Sequence, residues 1–559
     1  MAKKDYQNWS KEQLIEEVGR LRKRKKYGIV WEDKPENVVE QCKNELPVLK
    51  EVKDKEIKKD KDGPVNILIE GDNYHALSVL NYTHKGKIDV IYIDPPYNTG
   101  AKDWKYNNNF VDINDAWRHS KWLSMMRNRL SLVKGLLKRD GVLIVTIDDN
   151  ELFALGLLLD EMFPWKERTT VVIKYNPAGT ARSGFSRCHE YALYLLNRGQ
   201  EIEKKPAPID ERERNLRRNG NNSNRGDSPT MFYPIIVDKK TLKVIGADEV
   251  PDDNYHPKQQ TITNKRFYEV WPLDDNNNEK NWYYSRKRVI QSGKQELFCK
   301  WRKDRLHIYF STTNNAEQKY QTVWAGSEYD AGAYGTSLVK SIVRTDFPFP
   351  KSLYAVKDCL NAIVRRKKDA LVLDFFAGSG TAGHAVLELN KEDGGNRRFI
   401  LCTNNENNIA TDICYPRVKR VIEGYTNTKN EKVTGLGSNL KYFRTAFVGA
   451  EPNDKNKEAL TKQATEMLCV REDTFEPVKE TETVKIFKNS KQHTGIVFDE
   501  SAILNLKKEI AKIGGEWSVY VFSLGDDTFD DEFENMKEKI TVAPIPEAIL
   551  RVYRRLFKP

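Results

Sequence analysis

Two blocks of alternating strand-like and helix-like segments constrain the fold of this 559-residue chain more than any other feature. The first block lies between 65 and 199 and contains the buried-strand patterns "VNILIEGDN" and "KIDVIYIDPPY". The second block follows residue 341 and contains "DALVLDFFAGSGTAGHAVLELN" and "RRFILCTNNE". Strand–helix alternation of this kind predicts a largely parallel sheet with helices on both faces. We therefore predict a single α/β sheet that is assembled from both blocks.

Changes in composition divide the chain into five predicted regions. They are an N-terminal helical arm and linker (1–60), a first α/β half (61–199), an insert (200–340), a second α/β half (341–445) and a small α+β C-terminal domain (446–559). The insert is rich in Asn, Arg, Lys and aromatic residues, with turn signals such as "RRNGNNSNRGDSP". This composition does not fit an α/β layer, so we predict that the insert folds differently from the two halves.

Three local patterns predict individual elements. In "WSKEQLIEEVGRLRKRKKYG", Ser10 and the Gln13 three residues on predict a capped amphipathic helix. The charged stretch "KEIKKDKDG" is typical of an exposed linker. The segment "SKWLSMMRNRLSLVKGLLKRDG" predicts a long amphipathic helix that is closed by Gly141.

Bulk composition excludes several classes of protein. No stretch approaches 18 uninterrupted apolar residues, which argues against a membrane span, and "MAKKDYQNWSKEQ" lacks the apolar core of a secretory signal. Seven scattered cysteines without a CxxC pair, and dispersed histidines, predict a reduced, cytoplasmic protein without a zinc site. The net charge of +11 suggests a polyanionic partner.

The first candidate for chemistry is a strand that runs into Asp94, Pro95, Pro96 and Tyr97. This turn places a carboxylate, backbone carbonyls and an aromatic face at one strand end, and its prolines stiffen it. An isolated string of this kind is more often an ordinary turn in which the acid is a local cap.

The second candidate is a strand, 371–375, that leads into Gly378-Ser379-Gly380 and then a helix. Glycines there permit a tight turn and a close approach of backbone N–H groups to a ligand. A further strand, "RFILCTNN", is followed by Glu406, where an acid can accept both ribose hydroxyls of an adenosine group. The GxxxxGK[ST] pattern does not occur, so an ATPase is excluded.

Together the two motifs resemble the catalytic D-P-P-Y and cofactor F-x-G-x-G motifs of amino-methylating DNA methyltransferases. Their order, with the insert between them, resembles the β-class of these enzymes. The segments "IEGDNYHALSVL", "VTIDDNE", "FILCTNNENNIATDICYPRVKRVI" and "PIPEAILRVYRRLF" are similar to the modification (Mod) subunit of type III restriction–modification systems. The resemblance implies a Rossmann-like, S-adenosylmethionine-dependent methyltransferase sheet in circularly permuted order, with an inserted target recognition domain.

The resemblance also implies an activity for the Asp94–Tyr97 turn. The exocyclic amine of adenine is a poor nucleophile because its lone pair is delocalised into the ring. Acceptors aimed at its two hydrogens localise that pair, and the carboxylate of Asp94 and the carbonyl of Pro95 are the expected acceptors. Tyr97 is expected to stack on the purine after the base has left the duplex.

For the cofactor, the resemblance implies residues from both halves. The expected set is Asp72, Asp374, Phe376, Gly378, Gly380, Thr381 and Glu406, with Glu406 on the ribose and Asp374 near the methionine amine. Asp72 has a second interpretation, as the N-cap of the helix that follows it. The segment "FPFPKSLYAVKDCL" is similar to a cofactor segment of the family, but Ser352 stands where a second proline is usual. That departure leaves a contact from Lys351 open.

Base recognition is expected in the insert. The stretch "KNWYYSRKRVIQSGKQELFCKWRKDRLHIYF" interleaves cations with aromatic residues. Cations hold phosphates, while a few polar side chains read base edges. The expected DNA-binding residues are Arg286, Lys287, Arg288, Lys300 and Arg302. The alternative is a solvated β-meander whose aromatic residues form its own core.

These observations predict an adenine-N6 methyltransferase that acts on double-stranded DNA. Asp rather than Ser before the two prolines favours adenine over the cytosine-N4 alternative. By analogy with type III systems we expect a homodimer and a separate helicase–nuclease restriction subunit. A solitary methyltransferase, or a specificity subunit that mainly recruits an endonuclease, are the other interpretations.

Overall fold

The computed structural model describes residues 9–23, 29, 31–61, 63–179, 184–206, 211–313, 317–525 and 527–557. The chain forms two compact units. The first unit contains the chain up to Glu203 and again from Tyr320 onward, and the second contains Lys204–Lys319.

The first unit opens with helices and strands that lead to the Asp94–Tyr97 turn and continue beyond it. In chain order they are α1 (Lys11–Lys23), α2 (Asn37–Asn44), β1 (Glu45–Glu51), β2 (Ile57–Lys58), β3 (Val65–Glu70), α3 (Asn73–Thr83), β4 (Ile88–Ile93), β5 (Ala101–Tyr106), β6 (Asn109–Asp112), α4 (Arg118–Val133), β7 (Leu137–Ile147), α5 (Leu152–Met162), β8 (Lys166–Ile173) and β9 (Glu190–Asn197). The predicted cap of α1 is confirmed, since the Gln13 N–H donates to Ser10 Oγ at 3.2 Å and the Ser10 N–H donates to Gln13 Oε1 at 2.9 Å.

The second unit is built mainly from short antiparallel strands. Its elements are β10 (Lys204–Pro206), β11 (Glu211–Asn215), β12 (Ile235–Asp238), β13 (Val244–Ala247), β14 (Thr261–Thr263), β15 (Phe267–Val270), α6 (Arg286–Glu296), β16 (Leu297–Arg302), β17 (Arg305–Thr313) and β18 (Glu317–Lys319). The strands pair in the orders β10-β18, β11-β17-β16 and β13-β12-β15-β14. Tyr233, Trp282 and Leu306 lie in its buried core, so the unit has a hydrophobic centre of its own.

After the insert the first unit resumes and continues to the C-terminus. Its elements are β19 (Val323–Trp324), α7 (Leu338–Val343), α8 (Leu353–Val364), β20 (Leu371–Asp374), α9 (Thr381–Asp393), β21 (Arg398–Thr403), α10 (Tyr415–Glu423), β22 (Gly424–Thr426), β23 (Lys432–Thr434), β24 (Asn439–Gly449), α11 (Asp454–Lys462), α12 (Thr465–Glu472), β25 (Glu476–Glu480), β26 (Val484–Lys488), β27 (Gln492–Val497), α13 (Ile503–Ile513), β28 (Glu516–Phe522), β29 (Ile540–Ile545) and α14 (Glu547–Phe557).

The central sheet joins strands from both α/β halves. Within the described residues it has eleven strands in the order β1-β24-β3-β21-β20-β4-β7-β9-β8-β19, and β2 pairs with β24. The strands from β24 to β7 are parallel. The predicted permuted α/β sheet is confirmed, since β20 from the second half lies between β21 and β4.

Helices cover both faces of this sheet, and the side chains of β4 show how. Ile91 and Ile93 belong to the cluster that packs on α3, α4 and α5, whereas Val90 and Tyr92 belong to the cluster that packs on α8, α9 and α10. Successive side chains of a strand point to opposite faces, so a strand buried on both sides reads as a continuous apolar run. This burial explains the apolar string that precedes the Asp94–Tyr97 turn.

The N-terminal region differs from its predicted organisation. The segment predicted as an exposed linker includes β2, which pairs with β24 through Ile57 and Leu440, and Ile57 is buried. Upstream, β1 pairs with β24 along its whole length. Burial of the apolar side chains of β1 and β2 against the sheet outweighs the high charge of their neighbours in sequence.

The helix predicted to be closed by Gly141 is shorter than expected. It ends at Val133, and Gly141 lies inside β7. A Cβ on Gly135 would lie 2.6 Å from Asn81 Oδ1, so α3 approaches the chain closely at this point. Beyond it Leu137 pairs with Ile88 of β4, and this long-range pairing replaces the local helical pattern.

Two further boundaries follow from packing. Residues 320–340, which the predicted insert included, belong to the first unit, because β19 pairs with β8 and the Tyr329 hydroxyl donates to Asp358 Oδ2 at 2.7 Å. The C-terminal sheet, β25-β26-β27-β28-β29, also belongs to the first unit, and the Tyr553 hydroxyl of α14 donates to the Pro47 carbonyl of β1.

Two negative findings hold across the described ranges. No helix there has both the length and the apolar character needed to cross a membrane. Nor does that part of the chain contain a group of three or more His, Cys, Asp or Glu side chains arranged to hold a metal ion.

Candidate active site

The predicted site residues follow four neighbouring parallel strands. Asp72 follows β3, Glu406 follows β21, Asp374 ends β20 and Asp94 follows β4. These strands are adjacent in the order β3-β21-β20-β4, so their carboxyl ends form one edge of the sheet. From β20 the chain continues to β21 on one side, and from β4 it continues to β7 on the other. Ligands bind parallel sheets at such a point, where the strand order reverses.

The carboxylate of Asp94 is held through one of its oxygens. Thr146 Oγ1, on β7, donates to Asp94 Oδ1 at 2.7 Å. Lys351 Nζ lies 3.2 Å from the same oxygen. Within the described part of the chain, both contacts use Oδ1, which leaves Oδ2 as the candidate acceptor for a substrate donor. The side chain is 26% exposed, which gives a substrate access to it.

The two prolines of the turn have different carbonyl environments. The Trp122 indole N–H donates to the Pro96 carbonyl at 2.7 Å, and Trp122 itself is fully buried in α4. That carbonyl is therefore engaged by the scaffold. The Pro95 carbonyl stays the predicted second acceptor.

Tyr97 is anchored by its hydroxyl group. The hydroxyl donates to Glu190 Oε2 at 2.9 Å, and Lys351 Nζ donates to the same hydroxyl. Lys351 Nζ also lies 4.4 Å from the centroid of the Tyr97 ring. The ring orientation is thus set by Glu190 from β9 and by Lys351, which precedes α8.

Asn98, the next residue, extends the support of the turn. It is fully buried in a left-handed backbone conformation, with φ of 56°. Its Nδ2 donates to Glu151 Oε1 at 2.5 Å, and its Oδ1 accepts from the Trp104 indole N–H at 3.1 Å. Glu151 Oε1 also lies 2.6 Å from His119 Nδ1. Buried polar groups with partners on several elements fix the turn in place.

Asp374 is a buried acid with few partners. It is 3% exposed, and its Oδ1 accepts from the backbone N–H of Phe376 at 3.0 Å. Burial, and then the charge of Asp94, raises the pKa of the Asp374 carboxyl well above its usual value. An ammonium group would supply the charge partner that such a carboxylate needs. The residue therefore fits the methionine amine of S-adenosylmethionine.

The Gly378–Gly380 loop has the backbone that the motif predicts. Gly378 and Gly380 have φ of 49° and 78°, which glycine adopts readily. A Cβ on Gly380 would lie 3.2 Å from Cys414 Sγ and 3.3 Å from Val418 Cγ2 of α10, so the loop also packs closely on that helix. Beneath the loop, the fully buried Arg417 donates from Nη1 to Ser379 Oγ at 2.9 Å and to Thr381 Oγ1 at 2.8 Å. Burial lowers the pKa of Arg417 to about 10, which leaves it charged at neutral pH.

The acids that follow β3 and β21 both have partners within the protein. Asp72 is the N-cap of α3, since its Oδ1 accepts from the Tyr74 N–H at 2.7 Å, and it lies 3.4 Å from Arg129. Its cap interpretation is thus correct, and a cofactor contact stays a prediction. Glu406 forms an ion pair with Lys105 of the β5–β6 hairpin and is 35% exposed. Its expected ribose contact also stays a prediction.

Comparison with known proteins decides the family. The sequence profile of the DNA methylase family matches residues 88–462, more than half of the chain. The chain belongs to the DNA methylase family. The match includes both the catalytic turn and the glycine loop. The permuted sheet and the site at its strand ends are therefore those of a DNA methylase.

Two curated relatives share substantial sequence with the methylase. The type III restriction-modification enzyme EcoPI Mod subunit of Escherichia phage P1 is 30% identical over 389 residues, 61% of this chain and 58% of the relative. The type II methyltransferase M.KpnI of Klebsiella pneumoniae is 28% identical over 394 residues, 68% of this chain and 90% of the relative. The methylase thus spans little more than half the length of the EcoPI Mod subunit. Among solved structures, an M1.HpyAVI–SAM complex is 12% identical with a TM-score of 0.29, covering 63% of this chain and 97% of that one.

In the second unit of the methylase, several expected DNA-binding residues have acidic partners. Arg286 lies 2.8 Å from Glu249, Arg288 lies 2.9 Å from Glu296, and Lys300 lies 2.5 Å from Glu213. The side chains of Lys287 and Arg302 are exposed. Surface pairs of this kind are weak and can be exchanged for phosphate contacts. Roles in DNA binding therefore remain predictions for all five.

Sequence reasoning missed several residues of the site. Thr146, Glu190 and Trp122 contact the catalytic turn but belong to no short motif. Lys351 contacts Asp94. A contact from Lys351 to the cofactor, which the serine at position 352 left open, stays untested. Helix α8 begins directly after Ser352, although the proline usual in the family is missing there. The Ser352 hydroxyl donates to the Glu328 carbonyl at 2.8 Å. Only an estimate of which strands are neighbours would have brought these residues together.

Proposed function

We propose that this methylase transfers a methyl group from S-adenosylmethionine to the N6 amine of an adenine in duplex DNA. One observation carries the proposal. Asp94, whose Oδ1 is held by Thr146 and Lys351, follows β4, and the Phe376–Gly380 loop follows the adjacent strand β20. An acceptor for an amine and a glycine loop for a cofactor are thus neighbours at one edge of the sheet.

The residues of the catalytic turn then have separate tasks. Asp94 Oδ2 and the Pro95 carbonyl accept hydrogen bonds from the two amine hydrogens, which localises the nitrogen lone pair. The amine nitrogen bonds to the methyl carbon as the sulfur–methyl bond breaks, which leaves neutral S-adenosylhomocysteine, and the proton that the amine loses passes to the Asp94 carboxylate. Tyr97 stacks on the extrahelical base, a contact worth about 1–3 kcal/mol. Because scaffold contacts already hold the turn, little reorganisation accompanies the reaction.

The cofactor is assigned to residues at the ends of β20 and β21. Bound S-adenosylmethionine supplies an electrophilic methyl group on a positively charged sulfur. Asp374 would hold its methionine ammonium group, and Glu406 its ribose after release from Lys105. Phe376 and the backbone of Gly378 and Gly380 would border it.

We assign the methylase to the modification and specificity subunit of a type III restriction–modification system. The name and 30% identity of the EcoPI Mod subunit support this assignment. It implies a homodimer on double-stranded DNA and a separate helicase–nuclease restriction subunit. The second unit, with its own core, is the proposed reader of the target sequence. The similarity to M.KpnI, a type II methyltransferase, supports the alternative that this chain is a solitary methyltransferase.

The test uses the purified chain with no added partner. Radiolabelled S-adenosylmethionine and genomic DNA are incubated with it, and the digested nucleosides are identified by mass spectrometry. We expect labelled N6-methyladenine. Labelled N4-methylcytosine would replace the adenine assignment, and the absence of label would refute methyl transfer by this chain. Single-molecule sequencing of host DNA with and without the gene then gives the modified site.

A further inference from the structure

A buried lysine lies between two carboxylates beneath the catalytic turn. The Lys351 side chain is 13% exposed, and its Nζ lies 3.2 Å from Asp94 Oδ1 and 2.5 Å from Glu190 Oε2. The Glu190 side chain is only 4% exposed. Buried charged side chains are tolerated only when they are paired and hydrogen-bonded. Neither Lys351 nor Glu190 is part of the D-P-P-Y or F-x-G-x-G motif.

We propose that Lys351 and Glu190 are positioning residues for methyl transfer, which hold Asp94 by Oδ1 so that Oδ2 faces the target amine. This inference rests on the proposed function. Thr146 and Lys351 approach the same oxygen from two different elements. Two donors on Oδ1 resist rotation of the carboxylate about its Cβ–Cγ bond. The orientation of Oδ2 is thereby set before a base arrives.

Glu190 couples Asp94 to the aromatic ring of the site. Its Oε2 accepts from the Tyr97 hydroxyl at 2.9 Å and from Lys351 Nζ at 2.5 Å. Lys351 also donates to the Tyr97 hydroxyl. A displacement of Glu190 would therefore move both the stacking ring and the cation that holds Asp94. The pair thus aligns the two groups that contact the base.

The charges of the group also fit the reaction. Asp94 and Glu190 bring two negative charges, and Lys351 brings one positive charge. The remaining single negative charge is complementary to the positively charged sulfur of the methyl donor. Without Lys351 the two carboxylates would repel each other across the site. Lys351 therefore allows Glu190 to anchor Tyr97 without an excess of negative charge.

The test compares four variants with wild-type protein. Lys351→Gln removes the charge, and Lys351→Arg keeps it. Because Lys351→Gln leaves two buried acids, the double variant Lys351→Gln/Glu190→Gln restores charge balance and keeps the shape. Lys340→Gln is the matched control, since Lys340 is 58% exposed and pairs with Asp346 at the surface. Methyl transfer, cofactor binding by calorimetry and thermal unfolding are measured for each.

We expect the double variant to unfold at the wild-type temperature and to bind cofactor as wild type does. Its kcat should fall about 10²-fold, as misplacement of reacting groups by about 1 Å can cost, with little change in KM for DNA. Lys351→Arg should recover much of the loss, because a cation alone can hold Oδ1. A double variant that folds and keeps wild-type kcat would overturn the inference while the proposed function stands. Wild-type protein without any transfer would overturn both.

Discussion

The hydroxyl of Thr146 donates to Oδ1 of Asp94 at 2.7 Å, which ties the end of β4 to the adjacent strand β7. The bond joins a residue of the catalytic motif to one that no motif contains. Since Lys351 approaches the same oxygen, the orientation of the carboxylate is a property of the folded sheet.

Replacing Asp94 with Ala should abolish methyl transfer and leave the cofactor site intact. The variant loses the acceptor for the amine, and we expect a loss in kcat on the order of 10³-fold or more. Cofactor binding by calorimetry and DNA binding by fluorescence anisotropy should be largely unchanged. Asp160→Ala, at a surface ion pair with Arg168, is the control. Wild-type turnover in Asp94→Ala would refute the mechanism.

Arg417→Met should weaken the glycine loop from beneath. The substitution removes the donor to Ser379 Oγ and Thr381 Oγ1, which keep, within the described ranges, only the 3.2 Å hydrogen bond to each other, so we expect a cost of about 1–3 kcal/mol in total. Chemical denaturation should show a lower free energy of unfolding, and calorimetry a weaker affinity for S-adenosylmethionine. Lys419→Met, in the same helix and partly exposed, should leave both quantities unchanged. Equal effects in the two variants would contradict the support role.

Gly380→Ala should destabilise the protein more than Gly394→Ala. Both residues are left-handed, with φ of 78° and 67°, so each substitution costs about 1–2 kcal/mol of backbone strain. At Gly380 the added Cβ would also lie 3.2 Å from Cys414 Sγ, whereas nothing lies within 4 Å at Gly394. The difference between the two variants in urea denaturation measures the packing of the loop on α10. Equal destabilisation by the two substitutions would mean that the loop shifts to accommodate the added Cβ.

Asp374→Asn should stabilise the cofactor-free protein at neutral pH. The pKa of this carboxyl is raised in the folded state, so folding favours its protonated form. The ionisable carboxyl therefore lowers the free energy of unfolding. This loss is complete above the pKa of the folded state and disappears below the pKa of the unfolded state. Thermal unfolding from pH 8 to pH 5 should show a gain over wild type that shrinks as the pH falls. The same variant should bind S-adenosylmethionine more weakly, and a pH-independent difference would contradict this account.

Exchange of residues 204–319 for the corresponding segment of a relative should change the DNA sequence that is modified. These residues form a compact unit with their own core, so the exchange should leave the catalytic fold in place. Single-molecule sequencing of host DNA gives both the modified base and its site. The modified base should stay the same while the site changes. An unchanged site would reject the second unit as the reader.

The local pattern was sufficient for the layered α/β architecture and for the strings that carry chemistry. Continuous apolar runs marked the buried strands, and Asp94 and the Gly378–Gly380 loop were found because each motif lies within a few neighbouring residues. The cap of α1 was also local, since Ser10 and Gln13 lie in one turn. Interactions between residues that are close in the sequence can be predicted from the sequence alone.

Other features arose only from the assembled sheet. The end of α4 at Val133, the pairing of β1 and β2 with β24, and the return of residues 320–340 to the first unit all depend on distant partners. The same holds for Thr146, Glu190 and Lys351, which meet around Asp94 from three elements far apart in the chain. Local preferences amount to fractions of a kcal/mol per residue, roughly, whereas burial of a whole apolar side chain contributes about 1.5–3 kcal/mol. Long-range packing therefore decided which strands became neighbours, and with them the surroundings of the catalytic carboxylate.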